Sequence, residues 1–189
     1  EPADVAALAD AGLTAYHAAA KVARATNPGQ VCVVIGAGGL GHIGIQVLKA
    51  ISGVTVVVVD RNPAAVQLAG EIGADKVIVA DGSHVQQVLD FTGGHGAEAV
   101  LDFVGEGGAT KEGVAMLRRA GNYFVVGYGE NIDVPTIDVI STPMMPHGTM
   151  RSKNDRSVKT LSAKPCHVTQ SRACTPMDAI FRPRVHTPV

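Results

Sequence analysis

The chain has 189 residues, a formal net charge of −1, three cysteines and no tryptophan. That length supplies one core of ordinary size plus an appendage, not two full domains of about 100 to 200 residues each. A near-neutral chain with no apolar run approaching the roughly 20 residues that span a bilayer gives no reason to expect nucleic acid or a membrane as partner, and without a visible signal peptide the expected compartment is the cytoplasm.

Aromatic residues make up only 4% of the chain, so the core must be built from Val, Ile, Leu and Ala, which suits parallel strands covered on both faces. Cys32, Cys166 and Cys174 have no CxxC spacing and no histidines at ligand intervals, so they make no zinc site of their own. Cys32 falls within an apolar run and reads as a small core residue. The near-zero net charge hides a division: residues 1–141 hold eight Lys/Arg and fifteen Asp/Glu, whereas residues 142–189 hold eight and two.

Residues 1–12, EPADVAALADAG, show no helix start of their own and read as the middle of something longer. A helical pattern then places Leu13, Tyr16, His17, Ala20 and Arg24 on adjacent turns until Asn27-Pro28-Gly29 stops it. Residues 31–35 form a buried strand that runs straight into Gly36-x-Gly38-x-x-Gly41, after which the apolar spacing becomes helical over residues 39–51. In such a bend Gly36 supplies the backbone angles, Gly38 lets a pyrophosphate approach the main chain, and Gly41 lets helix and strand pack closely. The unpaired amides of the helix start would face the phosphates.

A second apolar run, residues 54–59, ends in Asp60, nineteen residues beyond Gly41. A carboxylate at that place can accept hydrogen bonds from both hydroxyls of an adenosine ribose, and its charge would repel a 2′-phosphate, so NAD is expected over NADP. Arg61 follows directly and opposes this, since an arginine can receive that phosphate. Asn62-Pro63 caps the next helix, which Gly73 stops. Residues 76–79 make a third strand, residues 83–91 a helix, residues 97–104 a fourth strand, residues 108–119 a helix and residues 123–126 a fifth strand. Strand and helix alternate, giving an α/β doubly wound parallel sheet ordered 3-2-1-4-5. Ligands of such sheets lie across the carboxyl ends of the strands, so Gly36 to Gly41, Asp60, Val104 and Val126 to Tyr128 are expected on one rim. His17 and His42 read as surface or packed residues, His95 as solvent-facing, and Asp102 as a strand-end residue satisfied by backbone amides.

Past Ser141 the pattern stops. Six of the ten prolines fall within residues 142–189 beside a single glycine, and no run supports either period, so this stretch is expected to be irregular. Its basic composition, without interleaved aromatics, does not make a nucleic-acid module.

The segments ADAGLTAYHAA, GAGGLGHIG, Asp60, GAD (residues 73–75), DFVG (residues 102–105) and VVGYG (residues 125–129) occur in an order that resembles the medium-chain zinc-dependent alcohol dehydrogenases. The resemblance covers residues 6–141 and implies the coenzyme-binding domain, residues 13–141, with residues 1–12 the remnant of a preceding catalytic domain. It implies that Gly38, Gly39 and Leu40 line the pyrophosphate and the rear of the nicotinamide, that Asp60 holds the adenosine ribose, and that Val104 lies on the adenine side. Val126, Gly127 and Tyr128 would stand beside the nicotinamide, Thr14 would contact its end, and Asp10 would match the third ligand of a catalytic zinc. Two further zinc ligands and the substrate-pocket domain are absent, so zinc is implied only for a complete enzyme. A family edge strand is also implied after Ser141, and STPMMPHGTM is not of that kind; a shifted reading frame or a wrongly joined fragment would produce such a change. Translating the parent DNA in its other two frames beyond codon 141 tests this.

The resemblance implies an NAD-dependent alcohol dehydrogenase acting on a small alcohol or carbonyl compound, a homo-oligomer when complete. The alternatives are another reaction on the same scaffold, such as polyol oxidation or quinone reduction, and an NAD-binding module without chemistry.

Overall fold

The structure is a computed structural model and describes residues 1–135. The expectations for residues 142–189, and for an edge strand after Ser141, lie outside the described residues. Five strands, β1 (Val31–Ile35), β2 (Thr55–Asp60), β3 (Lys76–Val79), β4 (Ala97–Asp102) and β5 (Leu117–Val125), form one parallel sheet in the order β3-β2-β1-β4-β5. The order is the one expected from the alternation of elements. Helices α2 (Ala11–Ala25), α3 (Gly41–Ile51), α4 (Pro63–Glu71), α5 (His84–Phe91) and α6 (Ala109–Met116) cover the two faces.

Period-2 alternation along the central strands sends side chains to two separate cores. Cys32, Val34, Val56, Val58, Ala99 and Leu101 pack with Val22 of α2, Ile45 and Leu48 of α3, and Ala69 of α4. Val33, Ile35, Val57, Val59 and Val100 pack on the other face with Val88 of α5 and with Ala109 and Met116 of α6. A sheet buried on both sides explains why these strands are apolar throughout. Burial pushes the Cys32 thiol up to about 12, so it is an inert core residue.

Asn62 caps α4 as its sequence suggests, its side chain accepting from the Ala64 amide at 3.0 Å, with Pro63 in the first turn. Elsewhere the boundaries move, each for a physical reason. Residues 1–12 are not featureless: α1 (Pro2–Val5) and a 3-10 turn (Ala6–Ala9) precede α2, with Pro2 in the first turn of α1. The inward face of α2 is not the large residues either. Leu13 is 67% and Tyr16 53% exposed, while Ala15, Ala18, Ala19 and Val22 are buried, because the close approach of α2 to the sheet and α3 admits only small side chains.

The helix expected over residues 108–119 ends at Met116, and β5 begins at Leu117 instead of Tyr123. Leu117 pairs with Ala97, and the next pair is Ala99 with Asn122, so β5 bulges through Ala120, whose φ is +60°. The two backbones run close at this point, where a Cβ on Gly96 would lie 2.7 Å from the Arg118 nitrogen. β4 likewise stops at Asp102, two residues early, because the Asp102 carboxylate takes the next free amides and turns the chain out of the sheet.

Asp75, just before β3, accepts from Lys49 Nζ at 2.8 Å and from the Val56 amide at 2.7 Å. Partial burial raises its pKa, but the Lys49 and Val56 hydrogen bonds outweigh that and hold the carboxyl below the usual range. A depressed folded pKa means that the stabilisation is full above the unfolded value of about 3.9 and is lost as pH falls through the folded value. Asp75→Asn should therefore cost on the order of 1 kcal/mol at pH 7, the pair being partly exposed, and much less near pH 2. Urea unfolding at the two pH values measures this, and an equal cost at both would show that the charge does not matter.

Candidate functional site

A cleft of about 1720 Å³ opens across the carboxyl ends of the strands. Its floor is the bend between β1 and α3, where each glycine has its own steric reason. Gly36 has φ +88°, and a Cβ there would meet Val104 Cγ2 at 2.7 Å. At Gly41 a Cβ would lie 1.9 Å from the Gly36 carbonyl oxygen, so α3 can leave the strand only here without a side chain. Gly38 and Gly39 differ: a Cβ on either meets nothing within 4 Å. Their backbone is exposed to the cleft, and among the described residues no acceptor pairs with the Gly38, Gly39 or Leu40 amides. Outward amides at the start of an 11-residue helix form an anion-receptive surface.

Asp60 stands at the tip of β2 on the cleft wall. Its Oδ2 accepts from the Ala37 amide and its Oδ1 from the Asn62 amide, each at 2.7 Å. A carboxylate has about four acceptor sites, so each oxygen retains capacity for one more donor from the cleft. Arg61 does not line the cleft; its Nη2 donates to the Gly107 carbonyl of the turn after β4. His42 turns back onto the bend, with Nδ1 2.7 Å from the Gly38 carbonyl oxygen.

Of the remaining candidates, Leu40, Val104, Val126 and Tyr128 line the same cleft, as do Asp10 and Thr14 on its far side. Gly127 does not, although its neighbours on both sides do; a Cβ there would sit 2.3 Å from the Val104 carbonyl carbon. Its smallness serves backbone packing between the β4 and β5 exits. Asp10 begins α2 but makes no side-chain cap, and Thr14 donates its amide to the Asp10 carbonyl at 3.0 Å. His17 is exposed and borders the cleft, and His95 is exposed elsewhere.

Phe103 went unnoticed in the sequence. It lines the cleft, and its ring lies where a Cβ on Gly44 would be only 2.6 Å from Cζ. A glycine three residues into the helix was the available signal.

Residues 39–160 match the family of zinc-binding dehydrogenases, well over half of the 189-residue chain. The chain belongs to that family. The match runs past Ser141, into the part outside the described residues. An NAD-dependent alcohol dehydrogenase of Sulfurisphaera tokodaii is 37% identical over 126 residues, 66% of this chain and 36% of that protein. A sorbitol dehydrogenase of Halalkalibacterium halodurans is 32% identical over 59% of this chain and 33% of its own length. The solved alcohol dehydrogenase of Aeropyrum pernix superposes with a TM-score of 0.71 at 42% identity, covering 73% of this chain and 40% of that one. The chain thus spans a little over a third of the length of such relatives.

The family's metal does not fit the described residues of this chain. No three His, Cys, Asp or Glu side chains come together there in a way that could hold a metal ion, and Asp10 alone is short of the three protein ligands of a catalytic zinc. No described helix is long and apolar enough to cross a membrane.

Proposed function

We propose that this chain is the coenzyme-binding part of an NAD-dependent alcohol dehydrogenase, which moves hydride between a small alcohol and NAD. The observation that carries the reading is the pairing of open amides at Gly38 to Leu40 with a carboxylate at Asp60 that still has acceptor capacity. Residues 13–141 would be the NAD-binding unit, with residues 1–12 belonging to the catalytic unit.

The dinucleotide would lie with its diphosphate on the amides of Gly38, Gly39 and Leu40, at the positive end of α3. Gly36 and Gly41 give that bend its shape. Asp60 would grip the two hydroxyls of the adenosine ribose with charge-assisted hydrogen bonds. The adenine would pass Val104, and the nicotinamide would sit between Leu40 behind, Val126, Gly127 and Tyr128 at its edge, and Thr14 at its amide end. When bound, the nicotinamide supplies the hydride chemistry; the residues of this chain orient it and exclude water from one face. Asp10 would serve as a zinc ligand only beside partners from outside the described residues. Arg61, held by the Gly107 carbonyl, is turned from the ribose, which supports NAD over NADP.

Calorimetric titration with NAD and NADP tests the proposal. NAD should bind at least about tenfold more tightly, about 1.4 kcal/mol. Absence of NAD binding, or equal binding of NADP, would overturn it. The lack of a three-ligand cluster among the described residues favours a second reading, an NAD-binding module without chemistry; measurable alcohol oxidation by this chain would remove that reading. The sorbitol dehydrogenase relative makes polyol oxidation the alternative reaction on the same scaffold.

A further inference from the structure

We propose that Asp102 is a positioning residue for the dinucleotide cleft: its carboxylate, held from behind by the Tyr123 hydroxyl of β5, fixes the turn after β4, its main-chain carbonyl takes the turn after β5, and together they set the wall made by Val104, Val126 and Tyr128. This rests on the reading of the cleft as an NAD site.

Asp102 is fully buried and does not border the cleft, so it touches neither substrate nor cofactor. Its Oδ1 accepts from the amides of Val104 at 2.8 Å and Gly105 at 2.9 Å. Its main-chain carbonyl accepts from the amides of Val126 at 2.8 Å and Gly127 at 3.1 Å. One residue therefore holds the first turn after β4 with its side chain and the first turn after β5 with its backbone. The two exits also touch each other, since a Cβ on Gly105 would be 2.5 Å from the Gly127 carbonyl carbon. Neither can move without the other.

The second carboxylate oxygen is occupied from inside the fold. Oδ2 accepts from the Tyr123 hydroxyl at 2.9 Å, with Thr110 Oγ1 at 3.4 Å. A phenol has one proton to give, and the carboxylate is closer than the other acceptor in reach, the Ala109 carbonyl at 3.5 Å. Burial, and next the charge of Asp102, raise the Tyr123 pKa, so the phenol stays a donor at any working pH. Space for the ring comes from Gly113, where a Cβ would be 2.6 Å from the Tyr123 hydroxyl oxygen. Burying a carboxylate is costly, and a strand end could be closed by a cheaper neutral group. What the forked carboxyl head adds here is one oxygen able to hold two adjacent amides while the other is pinned to a rigid ring.

The test uses the full chain as wild type, Asp102→Ala, Asp102→Asn and Tyr123→Phe. NAD and AMP affinities, the emission of bound NADH and thermal unfolding are measured for each. On that reading AMP would be held chiefly at Asp60 on β2 and would meet only Val104 of the wall, whereas NAD would also meet Val126 and Tyr128 at the exit of β5. Asp102→Ala should weaken NAD by at least about tenfold and AMP by at most about threefold, and should lower the emission of bound NADH. Asp102→Asn should recover NAD affinity to within about threefold of wild type, because its oxygen still serves both amides while its NH2 donates to the Tyr123 oxygen. Tyr123→Phe, which keeps the ring, should fall between them. NAD affinity and NADH emission unchanged in a folded Asp102→Ala would overturn the proposal, as would equal losses for NAD and AMP. Should Asp102→Ala not fold, wild-type NAD affinity and emission in Tyr123→Phe would overturn it equally. Failure of the wild-type chain to bind NAD would instead overturn the underlying reading of the site.

Discussion

Gly41→Ala should lose a large part of the chain's stability, whereas Gly38→Val, in the same bend, should fold normally and lose NAD. The added Cβ at position 41 would lie 1.9 Å from the Gly36 oxygen and 2.7 Å from the Gly36 carbonyl carbon. Both atoms belong to the backbone of the bend, so no side chain can swing away to relieve the overlap. Relief requires α3 to move off the sheet, and α3 carries Ile45 and Leu48, both fully buried in the core. Overpacking of about 3 kcal/mol or more is expected against a typical total stability of about 5 to 15 kcal/mol. At position 38 nothing lies within 4 Å of the new Cβ, and the backbone there is not among the positive-φ sites. The valine would enter only the space that a diphosphate needs. Thermal unfolding and NAD titration should therefore separate the two: Gly38→Val within about 2 °C of wild type but bound at least about 100-fold more weakly. Normal NAD binding by Gly38→Val would mean that the bend is not a phosphate cradle.

That contrast shows which parts of the site were legible in the sequence. Gly36, Gly38, Gly41 and Asp60 act through local backbone geometry and through strands that follow one another in order, and both are written in residue spacing. The sheet order followed from the same alternation. Features that depend on what packs across the molecule were not legible. Residues 117–120, Leu-Arg-Arg-Ala, are good helix formers, yet pairing with Ala97 draws them into β5. The buried side of α2 is made of alanines because the neighbouring helix is close, so the large apolar Leu13 and Tyr16 misled the pattern. Asp102 was recognisable as a strand end taking backbone amides. Its second partner, Tyr123, lies 21 residues away and reaches it only through the β4–β5 register. The assignments of Thr14 and Asp10 rest on family resemblance and on no physical signal in those residues, whereas the strand order itself puts Val126 to Tyr128 on the rim, and only their place beside the nicotinamide rests on the resemblance.

Asp60→Ala should weaken NAD by about 1 to 3 kcal/mol, roughly 5- to 160-fold, through loss of two charge-assisted bonds to the ribose. The same change removes the acceptor for the amides of Ala37 and Asn62, and Ala37 is only 2% exposed, so its amide would be left unpaired beside the bend. Some loss of stability, about 1 to 3 kcal/mol, must accompany the loss of binding. A fall in NAD affinity by itself would therefore not separate ribose recognition from a loosened bend. NADP separates them. Asp60 should repel a 2′-phosphate in the wild-type chain, so removing its charge offsets the structural loss for NADP but not for NAD. NAD affinity should drop while NADP affinity changes by less than about threefold, closing the gap between the two cofactors. If both cofactors weaken by the same factor, Asp60 is only a support for the backbone of the bend, and the ribose must be held by another group.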